Sequence, residues 1–195
     1  MARSRTPSVE IEASLIEAAS QLLEASGPEA LTVRSIAAAA GVAPMGVYNR
    51  FSSKNGVVEE LFCIGFTELA TALTGIAALD DAREALVEAG RRYLALGLAH
   101  PQLYQLMFGH AVAGFEPSLG AQEVAASAFE ALVAAVKRAQ QAGVLRDDDP
   151  ALLAHMIWAS VHGWVSLEIM GIGKIERTDT HVEVFLDALL KGLAP

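Results

Sequence analysis

Cysteine is nearly missing from this chain of 195 residues: Cys63 stands alone. An intrachain disulfide is therefore excluded, and a lone cysteine within the apolar run FCIGF reads as a core residue. Strand-type alternation is also missing, as is any internal repeat, so a sheet framework is not expected. No strand-turn-helix nucleophile elbow surrounds Ser160 or Ser166, although His162 lies near both in sequence, so a hydrolase is not supported. His155 and His162 fall seven apart on one helix face. With no cysteine nearby and only Glu168 as a carboxylate, they do not make a metal site; neither metal nor cofactor is expected. The start, MARSRTPSVE, has basic residues but no apolar h-region, which points to the cytoplasm.

Positive charge is in short supply too: 14 Lys and Arg face 23 Asp and Glu, a net charge of −9. That balance argues against nucleic acid until its distribution is considered. Within residues 1–55, Arg3, Arg5, Arg34, Arg50 and Lys54 balance Glu10, Glu12, Glu17, Glu24 and Glu29, so the whole deficit sits beyond them. An acidic body would repel DNA in wrong orientations while local cations make the phosphate contacts.

What is abundant is apolar surface, 53% of residues, and it is spaced for helices. Ser8–Ser26 turns Ile11, Leu15, Ile16, Ala19, Leu22 and Leu23 inward and stops at Gly27-Pro28. Further helices are expected at Lys54 to about Thr74, Asp80–His100, Gln102–Gly109, Leu119–Ala142, Pro150–Met170, and from Thr178 or Asp179 to Leu193. The acidic run 147–149 favours the helix N-terminus that follows it. The stretch Leu152–Met170 is long enough to span a membrane. His155, Ser160, His162, Ser166 and Glu168 interrupt it, and such a helix is expected where a core meets a subunit interface. No membrane partner is expected.

The segment Leu31–Lys54, LTVRSIAAAAGVAPMGVYNRFSSK, is the most specific. Thr32 can cap a helix with its hydroxyl, and Val33, Ile36, Ala37 and Ala40 recur on one face. Gly41 stops that helix by taking the left-handed conformation. Pro44 suits the first turn of the next. Val47 and Phe51 point inward, leaving Tyr48, Asn49 and Arg50 outward or at the rim. Ser52 or Ser53 caps the helix from Lys54. Two helices joined by a short glycine turn are a helix-turn-helix, which places its second helix in the DNA major groove.

The run Thr-Val-Arg, Ile-Ala, Ala-Gly-Val, Val-Tyr, Phe and Lys, with the spacing Gly41, Tyr48, Phe51, Lys54, resembles the TetR family of transcriptional regulators. Trp158, His162, Gly163, Leu167 and Glu168, with His100, Pro101, Leu103 and Tyr104 upstream, resemble a C-terminal domain type named for its Trp, His and Gly. The resemblance implies an all-α fold of about nine helices. A three-helix helix-turn-helix head (1–53) would precede an effector-binding and dimerisation bundle (54–195). It also implies a ligand-responsive regulator, usually a repressor and not an enzyme. Such a protein binds a pseudo-palindromic operator in double-stranded DNA as a homodimer paired through its last two helices. A small apolar or amphipathic effector would release it by displacing the helix from Lys54.

By the same resemblance Thr32, Tyr48 and Lys54 bind phosphate, and Arg34 reaches a base edge or a phosphate. Ala43, Pro44, Met45 and Gly46 face the groove. They offer few hydrogen bonds, so readout there is by apolar contact, such as thymine methyls, or by shape. Asn49 and Arg50 add polar contacts at the rim; Arg3 and Arg5 form either a DNA-grasping arm or a disordered tail. Ala43 stands where many members carry a capping hydroxyl, and Gly56 falls early in a helix; each forgoes roughly 1 kcal/mol. Phe66, Tyr93, Tyr104, Met107, Phe108, Phe115, Met156, Trp158 and His162 are the candidate effector residues, bulky side chains with a few polar groups.

Overall fold

The computed structural model describes residues 8–109 and 111–195; Arg3 and Arg5 lie outside them. The described residues form nine α-helices and no strand: α1 Ser8–Ser26, α2 Val33–Ala39, α3 Pro44–Phe51, α4 Lys54–Thr74, α5 Ala82–Ala99, α6 Pro101–Phe108, α7 Leu119–Gln141, α8 Pro150–Ile169 and α9 Asp179–Gly192. Two short 3₁₀ turns, Pro28–Ala30 and Gly75–Ala78, have no counterpart in the sequence expectation. Helix α5 starts two residues later than expected. The Asp81 carboxylate accepts the N–H groups of Arg83 (2.8 Å) and Glu84 (3.1 Å) and so takes the cap position.

The chain divides into two compact units, one of residues 1–65 and 100–122, the other of residues 66–99 and 123–195. In the first, α1 packs on α2, α3 and α6. Leu15, Leu23, Leu31, Ile36, Val47, Val57 and Leu61 are fully buried there. The Glu24 carboxylate at the end of α1 accepts the Leu103 N–H (2.9 Å) and the Gln102 N–H (3.4 Å), and so caps the start of α6 from a distance. Asn55 donates to the Gly114 carbonyl (3.1 Å), and Glu59 accepts the Ser118 N–H (2.9 Å). The partners of both carboxylates lie far along the chain, so no local spacing announces these contacts.

In the second unit α5 packs on α8 and α9. Arg91 grips Glu183 with two hydrogen bonds (2.6 and 2.8 Å) and reaches Glu84 at 2.6 Å. Those bonds raise its own pKa and lower that of Glu183. The backbone N–H of Arg146 donates to the Leu193 carbonyl (3.0 Å), and its guanidinium donates to that of Gly192 (3.3 Å), closing the end of α9.

By length and composition, the stretches Lys54–Ala78 and Leu119–Gln141 are apolar enough to cross a membrane, whereas α8 is not among them. The histidines, serines and Glu168 of α8 lower its hydropathy. The apolar side of α4 is spent on packing: Val57, Val58, Leu61 and Phe62 are buried in the first unit, and Phe66, Leu69 and Leu73 in the second.

Gly56 proves to be demanded rather than merely tolerated. A Cβ there would stand 2.1 Å from the Phe51 carbonyl oxygen, which is backbone and cannot swing away. Gly56→Ala is expected to destabilise the protein by roughly 1–3 kcal/mol, as for overpacking, read as a lower urea midpoint. An unchanged midpoint would show that the turn between α3 and α4 relaxes freely.

Candidate nucleic-acid interface

The helix-turn-helix is built from its caps. Thr32 accepts the Ser35 N–H (3.1 Å) while Ser35 accepts the Thr32 N–H (3.0 Å), a reciprocal capping box that starts α2. Ser35 went unnoticed in the sequence because the box usually carries Glu or Gln at that place. Gly41 takes φ 68°, in the left-handed region, and turns the chain. Pro44 opens α3, and Ala43 at its N-cap makes no side-chain hydrogen bond. Ser52 closes α3 at φ 59°, and Ser53 is the serine that accepts the Gly56 N–H (3.3 Å).

Val47 is wholly buried, whereas Phe51 is only half-buried. Outward from α3 stand Pro44, Met45, Tyr48 and Asn49, with Ala43 just before them. Met45 is 63% exposed and Tyr48 50% exposed, so Tyr48 is no core tyrosine. Thr32 and Arg34 are exposed on α2 and its cap; Gly46, Arg50 and Lys54 are half-buried. Arg50 donates from its guanidinium to the Gly46 carbonyl (3.5 Å). All ten residues expected at DNA thus belong to one short segment, and most of them are solvent-facing.

The candidate effector residues divide between the units. In the first, Tyr104 stacks near Phe108 (centroids 4.9 Å apart), and Phe115 meets Phe62 edge-on at 5.9 Å. Met107 fills the space a Cβ on Gly65 would need. In the second, Phe66 is buried and Trp158, Tyr93 and His162 are joined in a chain. The Trp158 indole can only donate, so its N–H goes to the Tyr93 oxygen (3.0 Å). The Tyr93 oxygen also lies within hydrogen-bond distance of His162 Nδ1 (3.2 Å). Burial lowers the His162 pKa, favouring the neutral imidazole. Phe129 and His155 meet Trp158 edge-on at 6.0 and 5.7 Å. Met156 lies apart from this cluster, 38% exposed on the outer row of α8. Among the described residues no three His, Cys, Asp or Glu side chains are grouped to hold a metal ion. Burial, with Glu60 and Glu59, raises the Cys63 pKa, which keeps the thiol protonated and weakly nucleophilic.

The family model described as "Bacterial regulatory proteins, tetR family" matches residues 15–61, the segment that holds this geometry. A second, "Tetracyclin repressor-like, C-terminal domain", matches residues 86–193, over half of the chain. The chain belongs to the TetR family. No curated protein matches it significantly. Among solved structures, a Rhodococcus protein of unknown function is similar over 95% of this chain and 96% of its own, with 27% identity and a TM-score of 0.84. The TetR family transcriptional regulator PfmR from Thermus thermophilus shares the fold at 22% identity, covering 93% of this chain and 99% of its own, with a TM-score of 0.73. The fatty acid degradation regulator FadR from Bacillus halodurans does so at 23% identity, with the same coverages and a TM-score of 0.76. As a TetR-family member the chain is a transcriptional regulator with a helix-turn-helix DNA-binding domain, and not an enzyme.

Two outcomes follow from the local chemistry. Thr32→Ala removes the cap of α2 and is expected to cost about 1 kcal/mol of stability, read from the urea midpoint. For His162, both folded and unfolded forms are neutral well above pH 6.5. As pH falls below that value the unfolded chain takes up a proton that the folded site resists. Stability therefore falls between pH 7 and pH 5, and in His162→Gln that part of the slope disappears. The carboxylates held by arginine act only in a more acidic range.

Proposed function

We propose that this TetR-family regulator is a ligand-responsive repressor that binds a pseudo-palindromic operator as a homodimer. Residues 1–53 engage DNA, and residues 54–195 hold the effector and pair the subunits. Thr32, Tyr48 and Lys54 bind phosphate; Lys54 adds its charge to the positive end of the α4 dipole. Arg34 reaches a base edge or phosphate, Ala43, Pro44, Met45 and Gly46 lie in the groove, and Asn49 and Arg50 flank it.

The observation that carries the dimer is the outer face of α8. Leu152 and Leu167 are each 47% exposed, Met156 38% and Met170 60%, with Ala159 exposed between them and no charged side chain in the row. On α9, Val184 is 63% exposed and Ala188 follows one turn later. Monomeric proteins rarely leave so continuous an apolar strip in water, and a second copy of both helices covers it with like surface. Two heads then meet successive major grooves about 34–36 Å apart.

The effector reading rests on Phe66, Tyr93, Trp158 and His162, bulky aromatic side chains of the second unit that carry a few polar groups. Tyr104, Met107, Phe108 and Phe115 are candidates of the same kind in the first unit. A small apolar or amphipathic molecule is the expected class. To move the protein from 1:99 to 99:1 it must favour the released state by roughly 5.5 kcal/mol.

Met156→Glu is expected to weaken self-association more than about tenfold, since it buries a carboxylate at the twofold face, seen by sedimentation as a shift to monomer. The wild-type protein should bind a half-site duplex far more weakly than the full site in a gel shift. Equal affinity for the two duplexes would sink the dimer reading.

A further inference from the structure

We infer that α3 reads A·T base pairs, with the Met45 side chain against a thymine C5-methyl group and the Asn49 carboxamide on the N6 and N7 edge of an adenine. This rests on the DNA-binding role proposed above and moves Asn49 from the rim of the groove to a base edge within it. Met45 and Asn49 stand four residues apart on α3, so they share one face, and both are exposed. Their separation along the helix is about 6 Å, close to two base steps at 3.4 Å each.

The other groups on this helix leave little room for a different code. Ala43 and Pro44 carry no side-chain donor, Pro44 has no N–H, and the Gly46 N–H already donates to the Ala43 carbonyl (2.7 Å). Guanine is read mainly by the fork of Arg or the ammonium of Lys. The one such side chain on α3 is Arg50, which is half-buried and turned back to the Gly46 carbonyl. With Tyr48 assigned to phosphate above, what remains on the groove side is a flexible thioether, 63% exposed, and a carboxamide with both a donor and an acceptor. The first matches the thymine methyl, the one apolar group at a major-groove base edge. The second matches adenine, which pairs an N6 donor with an N7 acceptor.

The experiment uses the full-length protein and an operator selected from a random duplex pool. Single thymines of one half-site are replaced by uracil, and single adenines by 7-deazaadenine, and affinities are measured in competition. At one thymine the uracil duplex should bind about fourfold more weakly, the worth of one buried methyl-sized group. Met45→Ala should then bind both duplexes equally. At one adenine, about two steps away, the 7-deaza duplex should bind about fivefold more weakly or worse, and Asn49→Ala should lose that sensitivity. Both side chains are exposed, so neither variant threatens folding. Indifference of the wild-type protein to uracil overturns the inference, as does uracil sensitivity that survives in Met45→Ala, or a selected half-site without A·T pairs. A protein that selects no duplex at all overturns the DNA-binding role itself, an outcome distinct from these.

Discussion

The position of the recognition helix depends on one small buried side chain, Val47. Helix α3 has eight residues, well short of the length at which an isolated helix holds itself in water. Its N-cap is an alanine that satisfies no backbone N–H, and its last turn is closed by a serine in the left-handed region. Neither end supplies much stability. What fixes it is burial of Val47 among the apolar side chains that α1 and α2 turn toward α3, worth about 1.5–3 kcal/mol. The same inward turn sets Pro44, Met45, Tyr48 and Asn49 facing out. Packing thus aims the functional face, and the outward residues are free to vary in chemistry without unseating it.

Around that helix the stronger ends belong to its neighbours. Helix α2 begins in a reciprocal hydroxyl box, and α4 begins at Ser53 with a glycine pressed against the Phe51 carbonyl. The short α3 is therefore held between two well-started helices. Glu24 and Glu59 extend this arrangement within the same compact unit by fastening the starts of α6 and α7 to α1 and α4. Acidic residues that lower the net charge of a DNA-binding chain here act as caps for backbone N–H groups.

Much of this was legible in the sequence, and the reasons are local. Helix bounds followed from Gly41, Pro44 and the aspartates at 147–149, because caps and stops act over three or four residues. Of the residues expected at DNA, the outward placement of Tyr48 and Asn49 followed from helical period, and that of Met45 from the resemblance to the family. What could not be read was non-local or unconventional in residue type. Ser35 replaced the usual Glu of a capping box. Glu24 found its partners 78 and 79 residues away. The hydrogen-bonded order of Trp158, Tyr93 and His162 needs α5 and α8 side by side, and no spacing within either helix announces it. Gly56 looked like a helix defect until the carbonyl it accommodates was in view.

If copies of this chain pair as proposed, the uncharged strip along α8 bears on how they recognise one another. Paired helices commonly choose partners through opposed charges, and rejection of the wrong partner comes from like charges brought together. Leu152, Met156, Ala159, Leu167 and Met170 contain no such code. In the pairing proposed above, α8 itself would discriminate by contour and not by charge, so along it a paralogous regulator with a similar relief would be admitted as readily as self. Mixed dimers carrying two unlike heads would then address operators with unlike halves.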